Sequence, residues 1–187
     1  MSQVPLILAS KSPRRKQLLE MAEVPFEILT FDTDESWPEG MPVDAVPEFI
    51  AANKGLAVAA AYPDRDILAA DTVVVLDDQI IGKPGDRDDA LHILGRLSGR
   101  RHRVITGVYL YLGGQEFRFS DTTEVEFHSL SPEQIGYYVD HYKPYDKAGA
   151  YAIQEWIGVV GIRRIDGCFY NVMGLPISRV LDALNKK

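Results

Sequence analysis

The stretch Val4–Arg15 constrains the fold more than any other part of the chain. Leu6-Ile7-Leu8 is a short apolar run that suits a strand buried on both faces. After a small-residue break, Ser12-Pro13 signals a helix start. A serine can cap the free amides, and proline fits the first helical position because its missing N–H would be unpaired there anyway. Lys16–Ala22 continue with a helical pattern that sets Leu18, Leu19 and Ala22 on one side. A buried strand that feeds a helix through a tight turn aims the positive end of that helix at a pocket. Ser10, Lys11, Ser12, Arg14 and Arg15 all fall at this point. Arg14 and Arg15 can be read as solvated charges of a first helical turn. Cations there oppose the helix dipole unless an anion answers them, so a phosphate cradle is the stronger expectation. The glycines of a Walker loop or a dinucleotide fingerprint are absent.

The 187 residues allow one sizeable α/β core, or two lobes that share a sheet. The net charge is −7, from 27 acidic and 20 basic residues, which argues against a duplex-binding face. The basic cluster Arg100-Arg101-His102-Arg103 follows a Ser-Gly turn and reads as a solvated turn. Cations focused at one site of an acidic protein fit a small anionic ligand better than a nucleic acid polymer. Neither a signal peptide nor a membrane span is expected, because the opening apolar run is short and charge follows at once. The single cysteine, Cys168, rules out an intrachain disulfide and a cysteine-based zinc site. Both features point to the cytoplasm.

Further along, Phe26–Leu29 reads as a strand that runs into an acidic loop holding Asp32, Asp34 and Glu35. Those carboxylates either solvate the loop or bring a ligand to a metal-bound triphosphate. A helix is expected over about 44–61, with Ile50, Lys54, Ala57 and Ala61 on one face. Lys54 on that side either snorkels to water or reaches a phosphate. Ile67–Leu76 is the strongest strand, interrupted by Asp71-Thr72, and a hairpin through Asp77-Asp78-Gln79 returns along Ile80-Ile81. A carboxylate flanked by Ala-Ala and Val-Val must meet a cation, a metal or several donors, because burying it alone is expensive.

Asp88–Leu97 is an amphipathic helix, with Ala90, Leu91, Ile93, Leu94 and Leu97 inward. Strands are then expected at Val104–Leu112, Glu116–Phe119 and Thr122–Phe127. Ser131 and Gln134 are spaced as a capping box for a helix with Ile135, Tyr138 and Val139 on its apolar side. Asp146–Gln154 is rich in small residues that let backbone approach a ligand, with Lys147 and Gln154 as its charge and amide. Ile157–Ile165 reads as a strand, Asp166-Gly167-Cys168 as a turn, and Ile177–Leu184 as a final helix. Strands mixed with helices, without a strict βαβ rhythm, predict an α/β unit with a mixed central sheet and a cleft.

The histidines show no metal-ligand spacing, and no Gly-x-Ser-x-Gly elbow exists. Arg14, Arg15, Lys54, Lys83 and Lys147, with Glu35, Asp71 and Gln154, suit attack of metal-activated water on a phosphate chain. The motifs Ala9–Arg15, Ala70–Val73, Gly82-Lys83-Pro84, Ser98-Gly99 with His102 and Thr106, Lys147–Tyr151 and Gly174-Leu175-Pro176 together resemble the Maf family, in order and in approximate spacing. That resemblance covers nearly the whole of residues 1–187 and implies one Maf-like domain. Its implied fold is a two-lobed α/β one, similar to inosine triphosphate pyrophosphatases, with the substrate cleft between lobes. The implied activity is nucleoside triphosphate pyrophosphatase, cutting between the α and β phosphates with a divalent cation, Mg²⁺ or Mn²⁺, in a cytoplasmic homodimer.

By the same resemblance Asp71 is the proton acceptor, and Arg14, Thr72 and Gln154 select the substrate. Ser10, Arg15, Glu35, Lys54 and Lys83 resemble the family's remaining pocket residues; Ser10, Arg14, Arg15, Lys54 and Lys83 are expected to bind phosphate, and the hard oxygens of Glu35 and Asp71 suit the metal. Ser-Pro-Arg, Asp-Thr and Ile-Gln are similar to the branch that takes dTTP and UTP. The sister branch takes 7-methyl-GTP, with Trp in place of the first arginine and Asp-Gln. Cys168 departs from a serine frequent in the family. A non-enzymatic alternative is a nucleotide-binding regulator of septum formation.

Overall fold

The computed structural model describes residues 4–186. Along the chain the elements are β1 (Leu6–Leu8), α1 (Pro13–Met21), β2 (Phe26–Ile28), α2 (Val46–Ala61), β3 (Ile67–Leu76) and β4 (Gln79–Ile81). Then come α3 (Arg87–Leu97), β5 (Arg101–Leu112), β6 (Gln115–Phe127), α4 (Pro132–Tyr142) and a 3-10 turn at Ala148–Ala150. The chain finishes with α5 (Trp156–Gly161), β7 (Ile162–Asp166), α6 (Phe169–Met173) and α7 (Ile177–Leu184). The hydrogen-bonded order is β2-β1-β3-β5-β6-β7, with β4 on β3. β1 pairs in parallel with β2 and β3, whereas β3–β4 and β6–β7 are antiparallel. The sheet is therefore mixed, as the rhythm of the sequence predicts.

The chain divides into two compact units. The first takes the residues up to Thr72, Thr106–Asp121 and those from Gly174 on; the second takes Val73–Ile105 and Thr122–Met173. In the first, Ile7, Ala9, Ile67, Ala69 and Tyr109 form one buried cluster with Ala51, Ala52 and Val58 of α2. Small residues on that helix let it lie close to the sheet. Its buried face runs through Val46, Ile50, Ala51, Gly55, Val58 and Ala59. The expected Ile50–Lys54–Ala57–Ala61 face is therefore turned: Ala61 is exposed, Ala57 is half-buried, and Lys54 stands at the edge of the contact.

In the second unit α3 packs on α4, and Arg87 joins them by donating to both oxygens of Asp140 at 2.6 and 3.0 Å. Ala90, Ile93, Leu94 and Leu97 are buried as expected, while Leu91 is only half-buried. The capping box forms: Ser131 Oγ accepts from Gln134 N, and Gln134 Oε1 accepts from Ser131 N.

Three local expectations fail for identifiable reasons. The two strands expected at 116–119 and 122–127 are the single strand β6. Its polar break is satisfied sideways, with Ser120 Oγ donating to Glu48 Oε2 at 3.2 Å and Arg179 paired with Asp121 at 2.7 Å. The first half of the expected Ile157–Ile165 strand is the helix α5, despite Val159 and Val160. Gly158 permits this turn, since a Cβ there would stand 1.7 Å from the carbonyl oxygen of Ile153. Val159 is 83% exposed, so no packing favours the strand alternative. Finally, no helix signal in the sequence marks α6. It is anchored by Asn171, whose amide donates to Val104 O and Thr123 Oγ1 at 3.1 and 3.0 Å.

His102 is buried between Phe127 and Tyr151, with Nε2 2.7 Å from the Tyr151 hydroxyl. Burial alone pushes its pKa down to about 4. The folded chain thus binds a proton at His102 less readily than the unfolded chain. Its contribution is fully present above the ordinary histidine pKa and is lost as pH falls from about 6.5 towards 4. The expected loss is about 3 kcal/mol by pH 4. Urea denaturation of the parent and of His102→Asn at several pH values checks this; parallel stability profiles through that window would contradict it.

Candidate active site

In the first unit the turn from β1 into α1 is built by its own hydroxyls. Ser10 Oγ accepts from Ser12 N at 3.2 Å, and Ser12 Oγ accepts from Arg15 N at 3.5 Å as the helix cap. Arg15 turns inward and is only 8% exposed. Its Nε donates to Gly174 O at 2.8 Å, Nη1 to Ser10 Oγ at 3.0 Å and Nη2 to Thr72 Oγ1 at 3.0 Å. Burial lowers the pKa of this guanidinium, with Arg14 acting in the same direction, while Asp71 and Glu35 oppose them. The side chain expected to meet phosphate is thus held by three protein acceptors, and it joins sequence motifs far apart in the chain.

Thr72 Oγ1 also lies 2.9 Å from Thr106 Oγ1 and 3.4 Å from Gly174 O. Because it accepts from Arg15, its own proton is directed to one of those oxygens. The hydroxyl is therefore oriented rather than free to rotate.

Asp71, the residue before it on β3, accepts from Lys54 Nζ at 2.7 Å. The same ammonium lies 2.8 Å from Glu35 Oε1. Side-chain exposure is 16% for both Lys54 and Asp71, and 57% for Glu35. A lysine at the edge of α2 thereby joins a strand carboxylate to a loop carboxylate, which answers the question of Asp71's partner. The other acidic residues of the loop have local duties. Asp34 accepts from Ser36 N and Ser36 Oγ at 2.8 and 2.6 Å, and these bonds hold its carboxyl below the usual range. Asp32 pairs with Lys11 at 3.3 Å on the surface. A cavity of about 150 Å³ opens between Ser10, Lys11, Phe31, Thr33, Glu35 and Lys54.

The chemistry of these donors bears on the expected metal. Among the described residues no group of three or more histidine, cysteine or acidic side chains is arranged to hold an ion. Glu35 and Asp71 supply two hard oxygen ligands around one ammonium. One or two carboxylates, completed by water and substrate phosphates, is how Mg²⁺ is usually held, so the residues fit.

In the second unit Lys83 is exposed just after β4, and Gly82 O accepts from Gly149 N at 3.0 Å. Gly149 has φ +69°, and a Cβ there would meet Val74 at 2.9 Å, so the Lys147–Tyr151 motif closes tightly against β3. Lys147 is 8% exposed and is committed to the protein, with Nζ 2.8 Å from Asp146 and 3.5 Å from Glu155. Gln154 is exposed. Tyr138 hydrogen bonds to Glu155. The structure thus gathers Ser10, Arg15, Glu35, Lys54, Asp71 and Thr72 in the first unit, where Arg14 sits half-buried in the first turn of α1. Lys83 and Gln154 belong to the second.

Several contributors escape a reading by residue type. The Gly174 carbonyl and the Thr106 hydroxyl were visible only as members of short motifs. Tyr138 looked like an ordinary apolar position of α4, with nothing to mark its hydroxyl.

A family model described as Maf-like protein matches residues 5–187. A protein of Cytophaga hutchinsonii named dTTP/UTP pyrophosphatase is 49% identical over 181 residues, covering 97% of this chain and 83% of its own length. Its namesake from Phocaeicola vulgatus is 47% identical over 183 residues, covering 97% of this chain and 95% of its own. Among solved structures, a HAM1 protein from Coxiella burnetii aligns with 99% of this chain and all of its own at TM-score 0.50. At 12% identity that likeness is one of fold.

Proposed function

The chain belongs to the Maf family, and we propose that it hydrolyses dTTP and UTP to the nucleoside monophosphate and diphosphate, a house-cleaning task in the nucleotide pool. The observation that carries the chemistry is the Glu35–Lys54–Asp71 chain, set in the same unit as the Arg15–Ser10–Thr72 cluster. In this reading a water oxygen bonds to phosphorus, the bridging P–O bond between the α and β phosphates breaks, and diphosphate leaves. Asp71 Oδ takes the proton from that water. The 2.7 Å bond from Lys54 fixes the carboxylate's direction, so little reorganisation accompanies the transfer.

Ser10, Arg14, Arg15, Lys54 and Lys83 are the proposed phosphate ligands, countering the charge that grows on the leaving diphosphate. Arg14, Thr72 and Gln154 are proposed to select the nucleotide. A divalent cation, Mg²⁺ or Mn²⁺, would be held by Glu35 and Asp71, and would supply charge neutralisation on the phosphate oxygens. A cytoplasmic homodimer belongs to the same proposal. No helix among the described residues is long and apolar enough to cross a membrane.

The purified chain, Mg²⁺ and equal concentrations of dTTP, UTP, dATP, dGTP and 7-methyl-GTP test this directly. Diphosphate release should be fastest from dTTP and UTP, and excess chelator should abolish it until Mg²⁺ or Mn²⁺ is restored. Preference for 7-methyl-GTP would move the chain to the sister branch. Undiminished turnover in chelator would remove the metal from the scheme, and binding without turnover would favour the regulator.

A further inference from the structure

We propose that Tyr138 is a positioning residue for nucleotide selection, its one hydroxyl gripping the loop on both sides of Gln154. The proposal rests on the reading that Gln154 selects the base. Tyr138 lies on α4 with its side chain wholly buried, and its ring stacks on Tyr142 with centroids 5.0 Å apart. Its hydroxyl oxygen accepts from Ala152 N at 3.1 Å, two residues before Gln154. The hydroxyl proton goes to Glu155 Oε2, one residue after it. Glu155 Oε1 faces Lys147 Nζ at 3.5 Å, so the carboxylate is held from a second direction. Between these anchors Ile153 is buried and Gln154 alone is exposed.

Packing does not require this hydroxyl, since phenylalanine would fill the same place on α4. What the hydroxyl adds is a fixed distance between a capped helix and the two flanks of one exposed amide. A side chain on a loop is ordinarily less well placed than one on a helix, and this arrangement lends Gln154 the rigidity of α4. Burial and the neighbouring carboxylate both raise the pKa of Tyr138, so it remains a donor across the working range.

The consequence is specific to base choice. A glutamine amide offers an oxygen acceptor at one end and N–H donors at the other. Held in one orientation it matches either the thymine or the cytosine polar edge, because the two edges exchange donor and acceptor. Released, it can turn to suit both.

The test is the ratio of kcat/KM for dTTP to that for dCTP in four proteins: parent, Tyr138→Phe, Gln154→Ala and the double variant. Tyr138→Phe should lower the ratio about tenfold. Adding it to Gln154→Ala should change the ratio no further, since the hydroxyl acts through that amide. A lowered ratio in Gln154→Ala with a parental ratio in Tyr138→Phe overturns the positioning role and leaves the selection reading standing. Parental ratios in both overturn the selection reading as well. Additive effects in the double variant show that Tyr138 acts elsewhere, and also overturn the proposal. Near-ultraviolet circular dichroism verifies the fold. Should Tyr138→Phe fail to fold, Glu155→Ala removes the acceptor from the same grip and should lower the ratio in the same direction; an unchanged ratio there has the same force against the proposal.

Discussion

Asp71→Asn should give a folded chain that binds dTTP and hydrolyses it about a hundred- to ten-thousandfold more slowly than the parent, the usual cost of losing a general base. Asparagine keeps the size of the side chain and can still accept from Lys54 through its amide oxygen. It loses the charge and the lone-pair basicity that proton transfer needs. Lys54 is not orphaned by the change, because Glu35 Oε1 lies 2.8 Å from the same ammonium. Stability should therefore move little, and nucleotide binding should persist through the remaining cations. Calorimetric titration with dTTP, single-turnover rates and a thermal melt separate these quantities. An Asp71→Asn protein that unfolds, while its residual folded fraction hydrolyses dTTP at the parental rate, would falsify the assignment and make Asp71 a structural carboxylate.

The prominence of Asp71 was legible because cost and pattern coincide. A carboxylate within the apolar run Ile67–Leu76 announces a partner, since the run cannot be solvent-facing and the charge cannot be buried alone. The identity of that partner was not legible. Lys54 lies 17 residues away in sequence, and its reach depends on how α2 is rotated about its own axis. The spacing at 50, 54, 57 and 61 gave the wrong rotation, because alanine is nearly indifferent to which side faces the core. Gly55 and Val58 decided it by packing instead.

Arg15 shows a complementary limit of reading by residue type. Its position at a helix start predicts a cation for phosphate and says nothing of the three acceptors, from separate parts of the chain, that also hold it inside the first unit. A guanidinium has several donors in one plane, which suits cross-linking a fold as well as gripping a ligand. Residue type alone does not separate the two uses. Capping, by contrast, was fully readable at Ser12 and at Ser131 with Gln134, because it depends only on neighbours within three or four positions. At α5 the local signal misled: two adjacent valines favour a strand, while the chain turns because Gly158 has no Cβ to strike Ile153 O.

The seat of α2 on the sheet leads to the second large effect. Within the first unit two glycines make this contact, Gly107 on β5 and Gly55 on the helix. A Cβ at Gly107 would stand 2.1 Å from Glu48 N and 2.2 Å from Pro47 C, both backbone atoms of the first helical turn. Backbone cannot rotate aside, so Gly107→Ala must displace the helix start. Glu48 resists, because its carboxylate is tied to Ser120 on β6. Overpacking of this kind costs about 3 kcal/mol. For a chain of this size that corresponds to a fall of roughly 6–12 °C in Tm. At Gly55 the nearest atoms belong to the Tyr109 ring, the closest at 2.0 Å. That ring is fully buried and its Cγ would lie within 2.8 Å, so Gly55→Ala should also overpack the contact, offset only by alanine's better helix propensity of about 1 kcal/mol. Lys54 rides on the same helix, about 9 Å along the axis from Glu48. A shift of about 1 Å is enough to break its 2.7 Å bond to Asp71, and misplacement on that scale can cost about a hundredfold in rate. Gly107→Ala should therefore lose both stability and dTTP hydrolysis, the latter even well below its melting temperature. A variant that melts within a degree or two of the parent and turns over dTTP normally would show that α2 has slack at this contact, and that the Lys54–Asp71 pair is not set by it.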